Sequence, residues 1–529
     1  MSRTPLFSVV QSALMGAGPS AQSGKALSRR QMLLLGGATA LTSCAPFGIG
    51  QEKSKEPSVA IVGGGVAGLT VAYRLSQAGK RATLYESSSR FGGRMYTQYN
   101  FNSDSMFCEL GGELVDTDHL PLISLAKELG VGIQRLKAEK DGGEDIYFLE
   151  GQLRSESDML RHGKGAFLPI AKQIGTDQAA LTDKDDNWTA RAHELDKMSI
   201  AQYLKQFRGH APDWAIDLLD LAYLGEYGIP TDQQSSLNLV DFISADSGKD
   251  ADFALFGKSD EAFRIEGGSS KLPVALYNRL GPKVTSRLGH ALTAVGRKDG
   301  QFVLAFQTSS GPVRSRHDVV VFALPFTRLR EVAGIDDLGV SAAKLKCIKE
   351  LGYGDNAKIM IGTRSRPWTD HSAGLPVKSD GEFYSKEFQV VWETSRGQTG
   401  KRGILTNFLS GEQDQLAAVN QLESGLRKMS PAIAKSLDPE NVAAFFWASN
   451  PHTRGSYASA KVGQYTTLLE VAPLPELDGA LHFCGEHTSA DFLGFMCGGV
   501  QSGERVAKEL LGQTQAQAQS QERIEARAS

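Results

Sequence analysis

Three glycines and one carboxylate near the start of the sequence have the types and spacing that bind a dinucleotide. Gly63, Gly65 and Gly68 form the pattern G-x-G-x-x-G, with Ala67 inside it, and Glu86 follows Gly68 by 18 residues. Glycines at these positions permit a tight turn, a close approach of backbone amides to a pyrophosphate, and close packing of a helix on a strand. The carboxylate is placed to accept hydrogen bonds from a ribose.

A second glycine turn follows shortly afterwards. Gly92, Gly93 and Arg94 bring an arginine within reach of the same phosphates. Its guanidinium would neutralise charge that the positive end of a helix dipole compensates only in part. The two turns together predict a bound dinucleotide, with NAD and FAD both open at this point.

The elements that must position these residues are a strand, a helix and a second strand. The β-branched run at 58–62 predicts the first strand, the apolar spacing at 69–75 predicts a helix, and 81–85 predicts the next strand. This order predicts an α/β fold with a Rossmann-like domain.

Composition excludes several classes of protein. The chain has 529 residues, 41% hydrophobic and 22% charged, with a formal net charge of −3, so we expect two or three domains with a sizeable core. A near-neutral net charge produces no electrostatic field that would attract nucleic acid. No apolar run reaches the roughly 18 residues that a membrane-spanning helix needs. The five cysteines are scattered and form no C-x-x-C pair, so neither a disulfide scaffold nor a metal site is predicted.

The first 43 residues have the form of an export signal. They contain four basic residues and no acidic one, and Ser28-Arg29-Arg30 begins a stretch similar to the twin-arginine motif. Cys44 ends a Leu-Thr-Ser-Cys sequence that is similar to a bacterial lipobox. We therefore expect lipidation at Cys44, a tether over 44–56, and a place in the periplasm or cell envelope. A soluble exported protein in which Cys44 is incidental, or a disordered basic tail, are the alternatives.

Further motifs make the chain resemble the FAD-dependent amine oxidase family, which includes monoamine, polyamine and L-amino-acid oxidases. The resemblance runs from about residue 57 to 511. It rests on the two glycine turns and on motifs at 109–112, 263–272, 290–295, 319–325, 481–488 and 494–505.

This resemblance implies FAD as the cofactor and assigns further residues to it. Gly111 and Gly112 match a turn close to the flavin ring, and Leu292 matches a position whose backbone holds adenine. Glu486 matches an acidic residue near the ribityl and phosphate groups. The helix that begins near Met496 would point its positive end at the flavin, where negative charge develops on reduction.

The resemblance also implies the catalytic residues. Lys358 matches a lysine that holds a water against the flavin, and a cation there favours electron transfer to oxygen. Tyr457 and Phe495 match two aromatic rings that leave a slot for a neutral amine. Members with covalent flavin carry a cysteine where this chain has Ser456, so the FAD should be bound non-covalently.

The resemblance to the family also indicates which substrates to expect. L-amino-acid oxidases carry a carboxylate-binding arginine where this chain has Leu114, which weighs against amino acids. Asp116 falls where polyamine oxidases often place an ionisable residue for a distal ammonium, and Glu113 is a second candidate. We expect oxidation of a primary amine by O2, with release of an aldehyde, ammonia and peroxide. A polyamine or L-amino-acid oxidase is the alternative.

A second alternative is an exported FAD-dependent dehydrogenase or desaturase that passes electrons to a membrane carrier. In either case two domains made of separated segments are expected. The FAD-binding domain would comprise 57–112, 262–335 and 450–512, and the substrate domain 113–261 and 336–449. Residues 370–388 are expected to form an exposed excursion, and 513–529 a polar, frayed tail.

Overall fold

The computed structural model describes residues 56–136, 143–242, 244–245, 253–254, 260–411 and 414–528. Across these ranges no helix combines the length and apolar character that a bilayer crossing requires. The predicted export signal, Cys44 and all of the predicted tether except Glu56 lie outside the described residues.

A five-stranded parallel sheet lies at the centre of the first half of the fold, called the parallel sheet below. Its order across the sheet is Val284–Arg287, Ala82–Tyr85, Val59–Val62, Val319–Phe322 and Leu481–Phe483. The central strands are almost continuously apolar because both faces of the sheet are covered. The predicted order of strand, helix and strand at 58–85 is confirmed, with the helix at Val66–Gln77.

Two glycines of the first motif are required by close backbone contacts. A Cβ atom at Gly68 would lie 2.0 Å from the Gly63 carbonyl oxygen, and one at Gly63, where φ is +116°, would lie 2.4 Å from the Ala323 oxygen. Any side chain at either position would push the Val66–Gln77 helix or the turn away from the parallel sheet.

One face of the parallel sheet is covered by four helices: Val66–Gln77, Leu120–Leu129, Lys271–Asn278 and Met496–Ala528. The other is covered by an antiparallel sheet and short helices: Ala291–Lys298, Gln301–Thr308, Gly311–His317, Phe326–Leu329, Ala342–Glu350 and Tyr465–Leu468.

The predicted boundaries after residues 112 and 335 are therefore wrong. The Leu120–Leu129 helix buries its apolar face in the core of the parallel sheet, and Leu114–Val115 pairs with Phe263–Ile265, which also pairs with Ile133–Arg135. The helix at Ala342–Glu350 packs into the core on the opposite face. Amphipathic helices belong to the layer that buries their apolar side, and both of these segments extend the cofactor domain.

The second half of the fold is built on a mixed sheet, called the seven-stranded sheet below. Its order is Leu437–Phe446, Ala357–Thr363, Gly403–Leu409, Gln389–Glu393, Phe383–Ser385, Ile146–Leu149 and Gln152–Ser155. One face packs against the helices Glu156–Gln178, Ala190–Asp196, Ile200–Lys205, Asp213–Tyr227 and Leu237–Val240. The other packs against Gln415–Met429, Pro431–Ser436 and the 3-10 turns Pro367–Thr369 and His371–Ala373. Short strands pair elsewhere, Thr97–Gln98 with Cys108–Glu109 and Ser244–Ala245 with Phe253–Ala254.

Two expectations about exposed segments are also wrong. Within 370–388 the structure has a fully buried strand at Phe383–Ser385, which lies between Gln389–Glu393 and Ile146–Leu149. This strand has three residues, which is too few to show an alternation of apolar and polar side chains, and the residues around it are polar. It could therefore not be recognised from the sequence. The helix that begins at Met496 continues to Ala528, so residues 513–528 are helical where a frayed tail was expected.

Candidate active site

A cavity of about 310 Å³ opens at the carboxyl ends of the parallel strands, where ligands bind in open α/β sheets. We call it the central cavity. Two glycine turns and two helix N-termini meet there. Its lining includes nine of the predicted cofactor residues: Gly63, Gly65, Ala67, Glu86, Gly92, Gly93, Arg94, Glu486 and Met496.

The lining fits a dinucleotide. A Cβ atom at Gly65 would have no neighbour closer than 4.0 Å, so the space that a side chain would fill belongs to the central cavity. The Val66–Gln77 helix begins at this point, and the first amides of a helix have no partner within it and attract phosphate. The backbone is thus exposed where a pyrophosphate would lie.

Glu86 supplies the acceptor for a ribose. One carboxylate oxygen accepts from the Gly64 amide at 2.7 Å, and the other accepts from the Ser88 amide at 2.7 Å. Each oxygen has two lone pairs, so the carboxylate is held rigidly and can still accept a hydroxyl proton.

Arg94 and Glu486 form an ion pair on the wall of the central cavity, with 2.7 Å between Nη1 and Oε1. Arg94 also donates to the Ser456 carbonyl, and Glu486 accepts from the Gly494 amide at 2.9 Å. Burial alone would raise the pKa of Glu486, but the Arg94 and His487 charges and the hydrogen bonds from Arg94 and the Ala458 amide together outweigh burial and lower it. The pair is therefore charged, with the guanidinium beside the glycine turns.

Four predicted cofactor residues do not line the central cavity: Gly68, Gly111, Gly112 and Leu292. Gly68 packs on the parallel sheet as described. A Cβ atom at Gly111 would lie 1.9 Å from the Arg94 carbonyl oxygen, and the Gly112 amide donates to that oxygen at 3.0 Å. Leu292 packs in an apolar cluster, although the His290 amide beside it donates to the Glu86 carbonyl. These residues position the wall, and Leu292 is not part of the lining.

Lys358 is fully buried in the seven-stranded sheet, opposite Phe445, which lines the central cavity. Its Nζ donates to the Gly111 carbonyl oxygen and to Glu113 Oε2, both at 2.9 Å. The ammonium also lies 4.9 Å from the ring centre of Trp392. A lysine has three N–H donors, so one remains after these two hydrogen bonds.

Glu113 is the counter-ion of Lys358 and not a receptor for a distal ammonium, which corrects the sequence-based expectation. Its second oxygen accepts from the Thr394 hydroxyl. Burial would raise the pKa of Glu113, but Lys358 and Thr394 together lower it. Asp116 is also buried in internal contacts, since it accepts from the Glu261 amide at 2.8 Å and its carboxylate lies 3.4 Å from the His119 ring. Neither carboxylate lines the central cavity.

The two predicted aromatic residues lie on either side of Gly494. A Cβ atom at Gly494 would lie 3.3 Å from the Tyr457 ring, and Phe495 follows it on the wall of the central cavity. The Tyr457 hydroxyl donates to the Glu226 carbonyl, and Phe495 packs edge-on against His119 with 4.7 Å between ring centres. Both rings are thereby fixed in orientation.

Among the wall residues that sequence reasoning missed, three make contacts that hold the wall in place. Arg90 braces the second glycine turn by donating to the Gly93 carbonyl at 2.6 Å and stacking on Tyr96. Trp447 donates to the Leu110 carbonyl at 2.9 Å, and His452 lies 2.8 Å from the Ser87 hydroxyl. Arg90 lies four residues before Arg94 and could have been noticed, whereas Trp447 and His452 reach the site only through the tertiary fold.

A family model described as flavin containing amine oxidoreductase matches residues 66–511. The chain belongs to this family. It is an FAD-dependent oxidoreductase that acts on amines. When bound, the flavin supplies the two-electron acceptor, and the glycine turns, Glu86 and Arg94 are the residues that would hold it.

Relatives in the family have several substrates. An L-amino-acid oxidase of Siganus canaliculatus is 24% identical over 454 residues, covering 82% of this chain and 81% of its own length. The (S)-6-hydroxynicotine oxidase of Paenarthrobacter nicotinovorans is 24% identical over 478 residues, covering 85% and 98%. The solved cyclohexylamine oxidase of Brevibacterium oxydans IH-35A superposes with a TM-score of 0.72 at 18% identity, covering 87% of this chain and 100% of that one. At this identity the superposition shows a shared fold.

Proposed function

We propose that the enzyme oxidises a primary amine to an imine, which hydrolyses to an aldehyde and ammonia, and that O2 takes the electrons to form H2O2. The observation that carries this proposal is Lys358, a buried ammonium with one N–H left over beside a wall residue of the central cavity. That N–H can hold a water at the edge of the site. A cation in a dry environment stabilises negative charge that develops on oxygen.

The contacts around Leu114 favour an amine over an amino acid. Leu114 is buried in a short strand, and its neighbour Arg264 donates to Gln134 and to the Thr394 carbonyl. A guanidinium that is bound in this way is not free to pair with a substrate carboxylate.

We also propose that FAD is bound without a covalent bond. Ser456 is fully buried and donates to Asn356 Oδ1 at 2.7 Å, so the position of the family's attachment residue carries a hydroxyl with a structural partner. The four cysteines of the described residues are free and buried. Denaturation in acid should release all the FAD into the supernatant, and flavin fluorescence that stays with the polypeptide would contradict the proposal.

The function is tested by measuring H2O2 from the FAD-loaded enzyme under air with alkylamines, polyamines and L-amino acids at equal concentrations. We expect turnover with primary alkylamines. If only polyamines or only amino acids yield peroxide, the proposed substrate class is wrong and that class takes its place. Reduction of an artificial dye by amines with no peroxide under air would favour the exported dehydrogenase.

Export by a twin-arginine route and lipidation at Cys44 remain a separate proposal that rests on the first 44 residues. We expect labelled palmitate to be incorporated in a bacterial host, and Cys44→Ala to abolish the label. An unmodified mature terminus away from Cys44 would overturn it.

A further inference from the structure

Three polar side-chain atoms on one face of the seven-stranded sheet have no hydrogen-bond partner in the described part of the chain. They are Tyr384 Oη, Trp392 Nε1 and Thr406 Oγ1, and all three residues are fully buried. The hydroxyl of the neighbouring Tyr147, which is also fully buried, pairs with Asp145. We call these four residues the polar row. A buried polar atom without a partner is costly and uncommon, so three neighbours on one face require an explanation.

Strand register arranges the polar row as two cross-strand pairs, which are diagonal neighbours because Val390 lies opposite Tyr384. Thr406 lies directly opposite Trp392, and Tyr384 lies opposite Tyr147 with their rings stacked at 4.9 Å. The row begins beside Lys358, whose ammonium is 4.9 Å from the Trp392 ring centre. The strand of Trp392 is two strands from that of Lys358, which is a separation of roughly 10 Å.

The atoms of the polar row define what they can bind. The Trp392 N–H can only donate, whereas the Thr406 and tyrosine hydroxyls both donate and accept. A ligand group that completes this set must offer an acceptor to Trp392. An ammonium cannot do so because it has no lone pair. A hydroxyl or carbonyl oxygen can.

The charge at the far end of the polar row excludes a carboxylate. Burial raises the pKa of Tyr147 and Tyr384, and the nearby Asp145 and Glu382 raise it further. Arg396 is the cation there, and it is already paired with Glu382 at 2.8 Å and with Asp380. A second carboxylate would add like charge to a buried acidic group.

We propose that the polar row binds the tail of the amine substrate, and that this tail carries a neutral oxygen, a hydroxyl or a carbonyl, about six carbons from the amine. The inference rests on the proposed amine oxidation, because the amine must lie at the Lys358 end. The aromatic rings of the row would pack against the carbon chain between the two polar ends.

The first test compares four six-carbon substrates of the holoenzyme: hexylamine, 6-amino-1-hexanol, 1,6-diaminohexane and 6-aminohexanoate. We expect KM for the amino alcohol to be roughly tenfold below that for hexylamine, as one or two new hydrogen bonds to buried donors would give. The aminohexanoate should have the highest KM. Equal KM values for hexylamine and the amino alcohol, or the lowest value for the diamine, would overturn the proposal.

Conservative variants assign the preference to the polar row. Thr406→Val and Tyr384→Phe each remove a hydroxyl at nearly constant volume, and Trp392→Phe removes the N–H. In each we expect the ratio of KM for hexylamine to KM for the amino alcohol to fall from roughly ten toward one, whatever the change in either KM value. Trp368→Phe is the matched control, because this buried indole lies in the core on the opposite face and donates to Glu393 at 2.6 Å. If the control loses the preference as fully as Trp392→Phe, the row is not the subsite.

A binding measurement separates failure of the subsite from failure of the proposed function. Amines with two methyl groups on the α-carbon have no hydrogen to lose there and cannot be oxidised, so their dissociation constants follow from perturbation of flavin absorbance. The hydroxylated form should bind roughly tenfold more tightly than the alkyl form. If no amine is turned over but this preference holds, the proposed function fails and the subsite stands. If amines are turned over and the preference is absent, the reverse is true.

Discussion

The two sheets of the molecule form their sites in different ways. At the parallel sheet, glycine turns and helix amides leave backbone exposed around the central cavity, whereas the seven-stranded sheet presents side chains on one face. Two ion pairs, one from each region, show the contrast. Arg94 and Glu486 have side chains that are 17% and 6% exposed, whereas Lys358 and Glu113 are 1% and 2% exposed.

This difference in exposure separates two uses of charge. A guanidinium that opens on a cavity can lend its charge to an anionic ligand. An enclosed pair holds its ammonium in one place. Because no solvent can replace a lost partner, removing one member leaves an unpaired buried charge and lowers the stability of the protein. The charge at the parallel sheet is open to a ligand, and the charge at the seven-stranded sheet is enclosed with its partner.

Removing the enclosed counter-ion should have the largest effect. Glu113→Ala leaves Lys358 buried without its carboxylate, and we expect the free energy of unfolding to fall by about 3–5 kcal/mol in urea titrations of the apoprotein. The control is Glu423→Ala, which breaks an exposed pair with Arg427 and should cost less than about 1 kcal/mol. Equal losses in the two variants would remove the distinction between enclosed and open pairs.

The next largest effect should come from neutralising the enclosed cation, and it should appear in the reaction with oxygen. In Lys358→Met we expect the rate of flavin reoxidation by O2, measured by stopped-flow absorbance, to fall roughly 100-fold. FAD affinity should change little, because Lys358 does not line the central cavity. Lys386→Met, at an exposed lysine that pairs with Asp217, should reoxidise at the wild-type rate. An unchanged rate in Lys358→Met would remove the catalytic assignment.

The open pair should show the opposite pattern. We expect Arg94→Gln to weaken FAD binding by roughly 10- to 100-fold in reconstitution of the apoprotein, because a charged partner of the phosphates is lost. Apoprotein stability should fall less than in Glu113→Ala, since water can reach the cavity wall. The control is Arg454→Gln at a half-exposed arginine, which should bind FAD normally. A stability loss in Arg94→Gln equal to that of Glu113→Ala would show that both pairs are enclosed.

The last effect concerns the pH dependence of stability and Glu109, a fully buried carboxyl that accepts from Ser269 and Thr97. Burial raises its pKa to about 7, above its value in an unfolded chain. Its favourable contribution is therefore complete below about pH 4.5 and is lost as pH rises through 7. We expect Glu109→Gln to gain on the order of 3 kcal/mol relative to the wild type between about pH 4.5 and 8.5, measured by urea unfolding. A pH-independent difference would mean that Glu109 is ionised throughout.

The sequence predicted the parallel-sheet region better than the other region, for a physical reason. The turns at Gly63 and Gly92 act locally, and their neighbours in sequence are also their neighbours in space. Lys358 and Glu113 lie 245 residues apart, so the residue types were identified but their pairing was not. The buried strand at Phe383–Ser385 was missed because three residues are too few to show alternation, and it is stabilised by its neighbours in the sheet.

The strand order of the parallel sheet also determines when, during translation, the two walls of the central cavity can come together. Val59–Val62 is made early, but the edge strand Leu481–Phe483, the carboxylate of Glu486 and the helix that begins at Met496 come from the last tenth or so of the chain. A growing polypeptide therefore has the glycine turns long before it has the opposite wall of the central cavity. Pairings of such long sequence separation form late and slowly. The chain must be almost completely synthesised before it can retain a flavin, and cofactor loading would be an event of the finished protein.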